Sequence, residues 1–207
     1  MTLRSMLFSL LCCAALTVPA TASADMLVEL PAPQKTGGLS VREALAARHV
    51  ERSFDSRPLP VQEVSNILWA ACGVNRDDGR LTVPTAMNYQ RIGVYAVLSD
   101  GVYRYDARNN ALEQVLQGEN WLKMYDNGAP MVLLHVAQES DHYSAMHIGS
   151  MYENVALYCA SAGLVNVMKA QETDRLDGRL SLPEGWKVCV HTSSCRTIAA
   201  STIGIFS

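Results

Sequence analysis

The run Arg48-His49-Val50-Glu51-Arg52-Ser53-Phe54 has residue types and spacing that can do chemistry. Its two arginines stand four residues apart on a segment leaving a predicted helix. A guanidinium offers a planar fork of donors that matches phosphate oxygens, so two forks on one short segment can converge on a dianion. Taken alone, the same spacing describes a solvated face, which is what most such pairs are. A second polar segment is Pro84-Thr85-Ala86-Met87-Asn88-Tyr89-Gln90. Read alone, Asn88 there fits a loop asparagine bonded to its own backbone. Tyr89, Tyr143 and His147 are titratable but have no visible partner, which argues for packing or rim positions over proton transfer. His142 and His147 are five apart, whereas two metal ligands on one helical face need four. Cys189, His191 and Cys195 fit no common zinc pattern, so no metal site is expected. There is no glycine-rich phosphate loop, and Thr192-Ser193-Ser194 lacks the setting of a nucleophile elbow.

The elements that must position these residues follow from local signals. Ser40-Val41-Arg42-Glu43 is a capping box that opens a helix running to about Ala47. Val61, Val64, Ile67, Leu68 and Ala71 fall on one face of a second helix, over 61–71, with Gly73 placed to stop it. Arg76 to Val83 is polar and reads as a loop. Gly93–Leu98 and Val102–Tyr105 read as paired strands around the hairpin signal Asp100-Gly101. Met131–Ala137 is nearly continuous in apolar residues, as a strand buried on both faces is. Ile148, Met151, Tyr152, Val155 and Cys159 line one face of a long helix over 145–162, ended by Gly163. Lys187–Val190 reads as a further strand. Helices interleaved with a hairpin and buried strands predict an α+β domain.

Residues 1–24 read as a cleaved signal peptide: Arg4, an apolar run from Met6 to Val18 too short to span a bilayer, then Ala22-Ser23-Ala24. The mature chain is therefore expected to be exported, to the periplasm or outside the cell, with no stable membrane insertion. Residues 25–38, rich in Pro and Gly, read as an extended arm, and 39–207 as a single domain with a sizeable core. The formal charge of −3 becomes −4 without Arg4, and no basic stripe is present, which argues against nucleic acid. Export permits disulfides, and Cys189 and Cys195 are close enough in sequence to close a small loop. Cys72 and Cys159 sit in apolar helical patterns and read as buried small residues.

Three segments in order carry a resemblance: the Arg48–Phe54 run; Leu68 to Arg76 with Pro84 to Gln90; and Tyr152-Glu153-Asn154-Val155-Ala156-Leu157-Tyr158 with Ala162-Gly163-Leu164. Together they resemble the nitroreductase-like flavoproteins, nearest to the subgroup that includes azoline-oxidising flavin dehydrogenases. The likeness spans about Leu39 to Pro183. It implies an α+β fold with a central mixed or antiparallel sheet flanked by helices. It further implies a homodimer holding FMN at the interface. By the resemblance, Arg48 holds the FMN phosphate, Arg52 lies near the ring and ribityl chain, and His49 supplies backbone and ring contacts. Val50 stands where the family has a serine, so one hydroxyl contact is lost. Pro84, Thr85, Ala86, Met87, Asn88 and Gln90 would cover the dimethylbenzene side of the ring from the partner subunit, with Thr85 keeping a hydroxyl that Ala86 lacks. Ala170 and Gln171 fall where the family often has Glu-Gly, whose backbone N–H meets flavin N5. Arg196 is the candidate second phosphate ligand, and Asn120 and Lys123 are candidates for ribityl contacts.

What the resemblance implies is an FMN-dependent oxidoreductase with ping-pong kinetics, acting on a small or peptide-derived substrate, with NAD(P)H as a candidate electron donor. The flavin carries the chemistry and the protein holds and tunes it, so no catalytic side chain is required. Arg52 would stabilise the negative charge that reduction places on the ring. Val50, the absent Glu-Gly and the scarcity of NAD(P)H outside the cytoplasm support a different class of reading, a low-turnover flavin-binding or scaffold protein that keeps the fold.

Overall fold

The computed structural model describes residues 27–119, 121–125, 128–139, 141–170, 176 and 178–196. The signal segment, Asn120 and Gln171 lie outside the described residues, and of Arg196 only the backbone is considered. In chain order the strands and α-helices are β1 (Leu27–Glu29), α1 (Val41–Ala47), α2 (Val61–Cys72), β2 (Ile92–Leu98), β3 (Gly101–Asp106), β4 (Ala111–Gln117), β5 (Met131–Gln138), α3 (Ser144–Ala162), β6 (Leu164–Lys169) and β7 (Trp186–Arg196).

The strands form one sheet in the order β1-β4-β3-β2-β5-β7-β6, and every neighbouring pair is antiparallel. β5 sits at its centre, paired to β2 on one side and β7 on the other. Because side chains alternate along a strand, its apolar run serves two cores. Met131, Leu133 and Ala137 face α2 and α3, packing with Ile67, Leu68, Met151 and Val155. Val132, Leu134 and Val136 face the opposite core, with Tyr125, Leu176 and Leu180. Full burial of one such aliphatic side chain is worth about 1.5–3 kcal/mol, so this strand anchors both layers.

The helices form where the sequence predicts. Ser40 Oγ accepts from Glu43 N and the Glu43 carboxylate accepts from Ser40 N, closing the capping box of α1. Gly73 closes α2, one residue beyond the predicted end. Gly163, at φ 68°, closes α3 in the left-handed conformation that glycine adopts without a steric penalty. No helix among the described residues is long and apolar enough to cross a membrane.

Four strand assignments differ from the sequence reading. The segment read as an extended arm outside the core carries β1, which pairs with β4, and its Leu30 is buried. β4, Ala-Leu-Glu-Gln-Val-Leu-Gln, has no strand signal in its composition; it is a strand because the turn after β3 folds it back in register. In that turn Asp106 accepts from Arg108 N and Asn109 N. β6 follows directly from the αL turn of α3. β7 runs far past Val190, since pairing to β5 and β6 on both sides holds the polar stretch at 191–194 in the sheet. That extension keeps Cys189 and Cys195, whose spacing in sequence permits a small loop, from closing one. Cys189 and Cys195 lie on one extended strand, roughly 20 Å apart at about 3.3 Å per residue, whereas a disulfide needs Cα atoms within about 7 Å. Cys189 is a free thiol.

Candidate functional site

The arginine run leaves α1 and lies along the outer edge of β6. Arg48 is the C-cap of α1, its N–H bonded to Ala44 O at 2.9 Å. Val50 forms a parallel bridge with Asn166 in the middle of β6, and Glu51 N donates to Asn166 O at 3.3 Å. A parallel course fixes the direction of the run: Arg48 lies toward the Leu164 end of β6 and Arg52 toward the Lys169 end. On the other side of β6, Arg196 pairs with Leu164. The backbones of Arg48 and Arg196 are thus about two strand spacings apart, roughly 10 Å, on either side of the same strand end.

Local contacts set the shape of the run. His49 Nδ1 is 2.9 Å from Ala47 O, turning the exposed ring back onto the helix end. The Glu51 carboxylate accepts from Arg52 N at 2.7 Å and Ser53 N at 2.9 Å. Those two N–H groups, Ser53 first, hold its carboxyl below the usual carboxylate range. Arg48 Nε is 3.6 Å from Glu153 Oε1 on α3, an ion pair too long to be a direct hydrogen bond. Arg52 and Val50 are exposed to solvent. Beside them Asn166 is 2% exposed, and its Nδ2 has no hydrogen-bond partner among the described residues. Arg48, at the strand end where the Arg196 backbone pairs, is the cation suited to a phosphate, while Arg52 lies toward the opposite end of β6. The residues present therefore fit the phosphate end of FMN. Ala170, exposed, continues from β6 beyond Lys169.

The Pro84–Gln90 segment is built on different contacts. Ala86–Asn88 is a single 3-10 turn, and Met87, Asn88 and Gln90 have φ of 51°, 56° and 51°. Non-glycine residues rarely adopt this region, so surrounding bonds must hold them there. Gln90 N donates to Thr85 Oγ1 at 3.2 Å, and the Gln90 side-chain amide donates to Asn88 Oδ1 at 3.2 Å and Gly79 O at 3.0 Å. Asn88 therefore bonds a neighbouring side chain rather than its own backbone. Ala86 N donates to His147 Nε2 at 2.9 Å, tying the loop to the first turns of α3. Pro84 is exposed, and Met87 and Tyr89 are 81% and 56% exposed.

Within one chain the two segments do not face a common ligand. Both attach to α3, through Glu153 and His147 respectively. Six helical residues separate these by about 9 Å and turn them about 120° apart. Lys123, in a short 3-10 turn, lines a cavity of about 410 Å³ with Ser56 and Pro58, which continue the arginine run. Of the titratable candidates, Tyr89 and Tyr143 are exposed and His147 is buried. Sequence reasoning passed over Asn166 and Asp141, and named Glu153 within the third motif without giving it a role. Glu153 and Asn166 carry no local signal, since only the docking of the run onto β6 and α3 brings them to it.

Comparison with known proteins bears on this arrangement. The sequence model described as Nitroreductase family matches residues 45–193. A protein of Methanocaldococcus jannaschii named as a nitroreductase is 28% identical over 166 residues, covering 69% of this chain and 82% of its own. A crystal structure from Ralstonia eutropha, described as a nitroreductase, superposes with a TM-score of 0.75 at 33% identity, covering 86% of this chain and 92% of that one. A nitroreductase with bound FMN from Bacteroides fragilis superposes with a TM-score of 0.56 at 17% identity, covering 82% of this chain and 100% of that one, a likeness of fold.

Proposed function

The chain belongs to the nitroreductase family, and from that premise we propose that it is an FMN-dependent oxidoreductase with one flavin site per protomer of a homodimer. The observation that carries the site assignment is the parallel bridge between Val50 and Asn166. It brings the Arg48 end of the run to the end of β6 where the backbone of Arg196 pairs, which supports the reading that both arginines serve one phosphate. Arg52 and the backbone at Ala170 are then the groups for the ring, at the other end of the strand, with His49 between; Gln171 is given to the ring by the resemblance alone.

When bound, FMN supplies the redox chemistry, alternating between an electron donor and an acceptor. The protein's part is to hold and tune. Arg52 places a positive charge where reduction adds a negative one. Val50 puts methyl groups where the family has a hydroxyl, so it contributes contact without a hydrogen bond. The 84–90 loop of a second copy covers the ring and excludes water. The exposure of Met87 and Tyr89 supports that role, as does the apolar surface that α1 offers through Val41 and Leu45. Export, supported by the apolar run at 6–18, places the enzyme in the periplasm or beyond. There NAD(P)H is scarce, and a small or peptide-derived substrate of the azoline-oxidising type is the reading that fits.

The test is an absorbance spectrum of the purified mature protein after incubation with FMN, followed by titration with NADH, NADPH, an azoline-containing peptide and dithionite. Flavin bands that co-elute with a dimer and bleach with a physiological donor are expected. A protein that stays colourless overturns the proposal. Bleaching by dithionite alone, with no acceptor reoxidising the flavin, replaces it with a flavin-binding role.

A further inference from the structure

We propose that His147 is a positioning residue: as a neutral acceptor it holds the Pro84–Gln90 loop in the shape that meets the flavin. The loop's contact with flavin rests on the function proposed above; the positioning itself rests on geometry within one chain.

His147 is 3% exposed, on the second turn of α3. Its Nε2 lies 2.9 Å from Ala86 N. A backbone N–H can only donate, so this ring nitrogen accepts and carries no proton. In the neutral ring the proton is then on Nδ1, which lies 3.8 Å from Asp141 Oδ2. That carboxylate is buried and is itself fixed, with Oδ1 accepting from Tyr143 N at 3.0 Å. Asp141 O also accepts from Ser144 N at 2.9 Å, joining the same turn to the start of α3. The carboxylate favours the Nδ1–H tautomer, and the tautomer leaves Nε2 as the acceptor.

Ala86 is the point in the loop where such an anchor has most effect. Thr85 precedes it in extended conformation, and Met87 and Asn88 follow it with positive φ. Among the described residues, the other hydrogen bonds of the loop run within it or to Gly79. The bond from Ala86 to α3 is what ties the strained turn to the body of the fold. Nε2 is taken up by Ala86 N, Nδ1 faces the Asp141 carboxylate at a distance too long for a hydrogen bond, and burial of the whole ring keeps it away from a substrate. His147 acts through the loop rather than at the reacting atoms.

Three variants separate this role from simple packing. The carbonyl oxygen of Gln reaches the place of Nε2, whereas that of Asn reaches only the place of Nδ1. The first readout is hydrogen exchange of the Ala86 amide, which needs no flavin. In His147→Ala and His147→Asn that amide is expected to exchange about tenfold faster than in the wild type, and in His147→Gln at close to the wild-type rate. The second readout is the FMN dissociation constant of the dimer, expected to rise about five- to tenfold in the Ala and Asn variants and to recover in the Gln variant. Equal Ala86 exchange in all four proteins overturns the positioning role, as does failure of the Gln variant to recover when it is folded by circular dichroism. Changed exchange with unchanged FMN affinity leaves His147 anchoring the loop and removes the loop from the flavin site.

Discussion

Arg48 is shared between two demands, the ion pair with Glu153 and the proposed phosphate. Both partners of the pair are about a third or more exposed, so solvent screens it and it is weak. A dianion offers Arg48 more charge and better acceptors than Glu153 does. Arg48→Ala is therefore expected to weaken FMN binding about ten- to a hundredfold, the range of a charge-assisted hydrogen bond. Riboflavin, which lacks the phosphate, should bind both proteins alike; titrations of the two ligands check this. Glu153→Gln removes a competing carboxylate, and FMN affinity should rise about two- to fivefold at low salt and by less at high salt. Val50→Ser restores one hydroxyl contact and should gain less than Arg48→Ala loses.

At the scale of elements, α1 is a short lever whose end carries the arginine run. With only seven residues it draws little stability from its own helical hydrogen bonds, and it depends on its cap and on packing against α3. Leu39 N donates to Ser161 Oγ at 2.8 Å, pinning the entry to α1 against the end of α3. Ser40→Ala removes the cap and should cost about 1 kcal/mol of stability. If α1 positions Arg48, the same substitution should also raise the FMN dissociation constant several-fold, read from denaturant melts and flavin titration of one preparation. β6 is the other half of this device. As an edge strand it offers its free backbone to the arginine run, and the bridge at Val50 covers part of that edge.

For the whole molecule, the central strand carries a histidine inside the core. His135 is fully buried, and its Nε2 lies 3.0 Å from Thr192 Oγ1 on β7. Burial, with His191 nearby, pushes it down from the ordinary imidazole value to about 4. The unfolded chain then binds more protons than the folded one between those values. Stability is full above about pH 6.5 and falls as pH drops toward 4, by up to about 3 kcal/mol. Urea midpoints measured at pH 7.5, 5.5 and 4.5 should fall in that order. His135→Gln, which keeps a polar partner for Thr192 without titrating, should flatten the decline over this range.

The amino-acid sequence by itself determined the features whose causes are local. The capping box set the start of α1, apolar periodicity set α2 and α3, Gly73 and Gly163 set their ends, and a nearly continuous apolar run set β5. It also carried the family, because the three motifs lie in order along the chain. Tertiary structure alone decided β4, β6 and the length of β7, since their residues become strands only through pairing: β4 with β3 across a short turn and with the distant β1, and β6 with β7. It decided as well that Arg48 meets Glu153, that Val50 lies against Asn166, and that His147 anchors Ala86. Those contacts join segments tens to more than a hundred residues apart, where no spacing rule operates. The chemistry could be read from residue types; the assembly of the site depended on how the sheet edge and α3 bring those residues together.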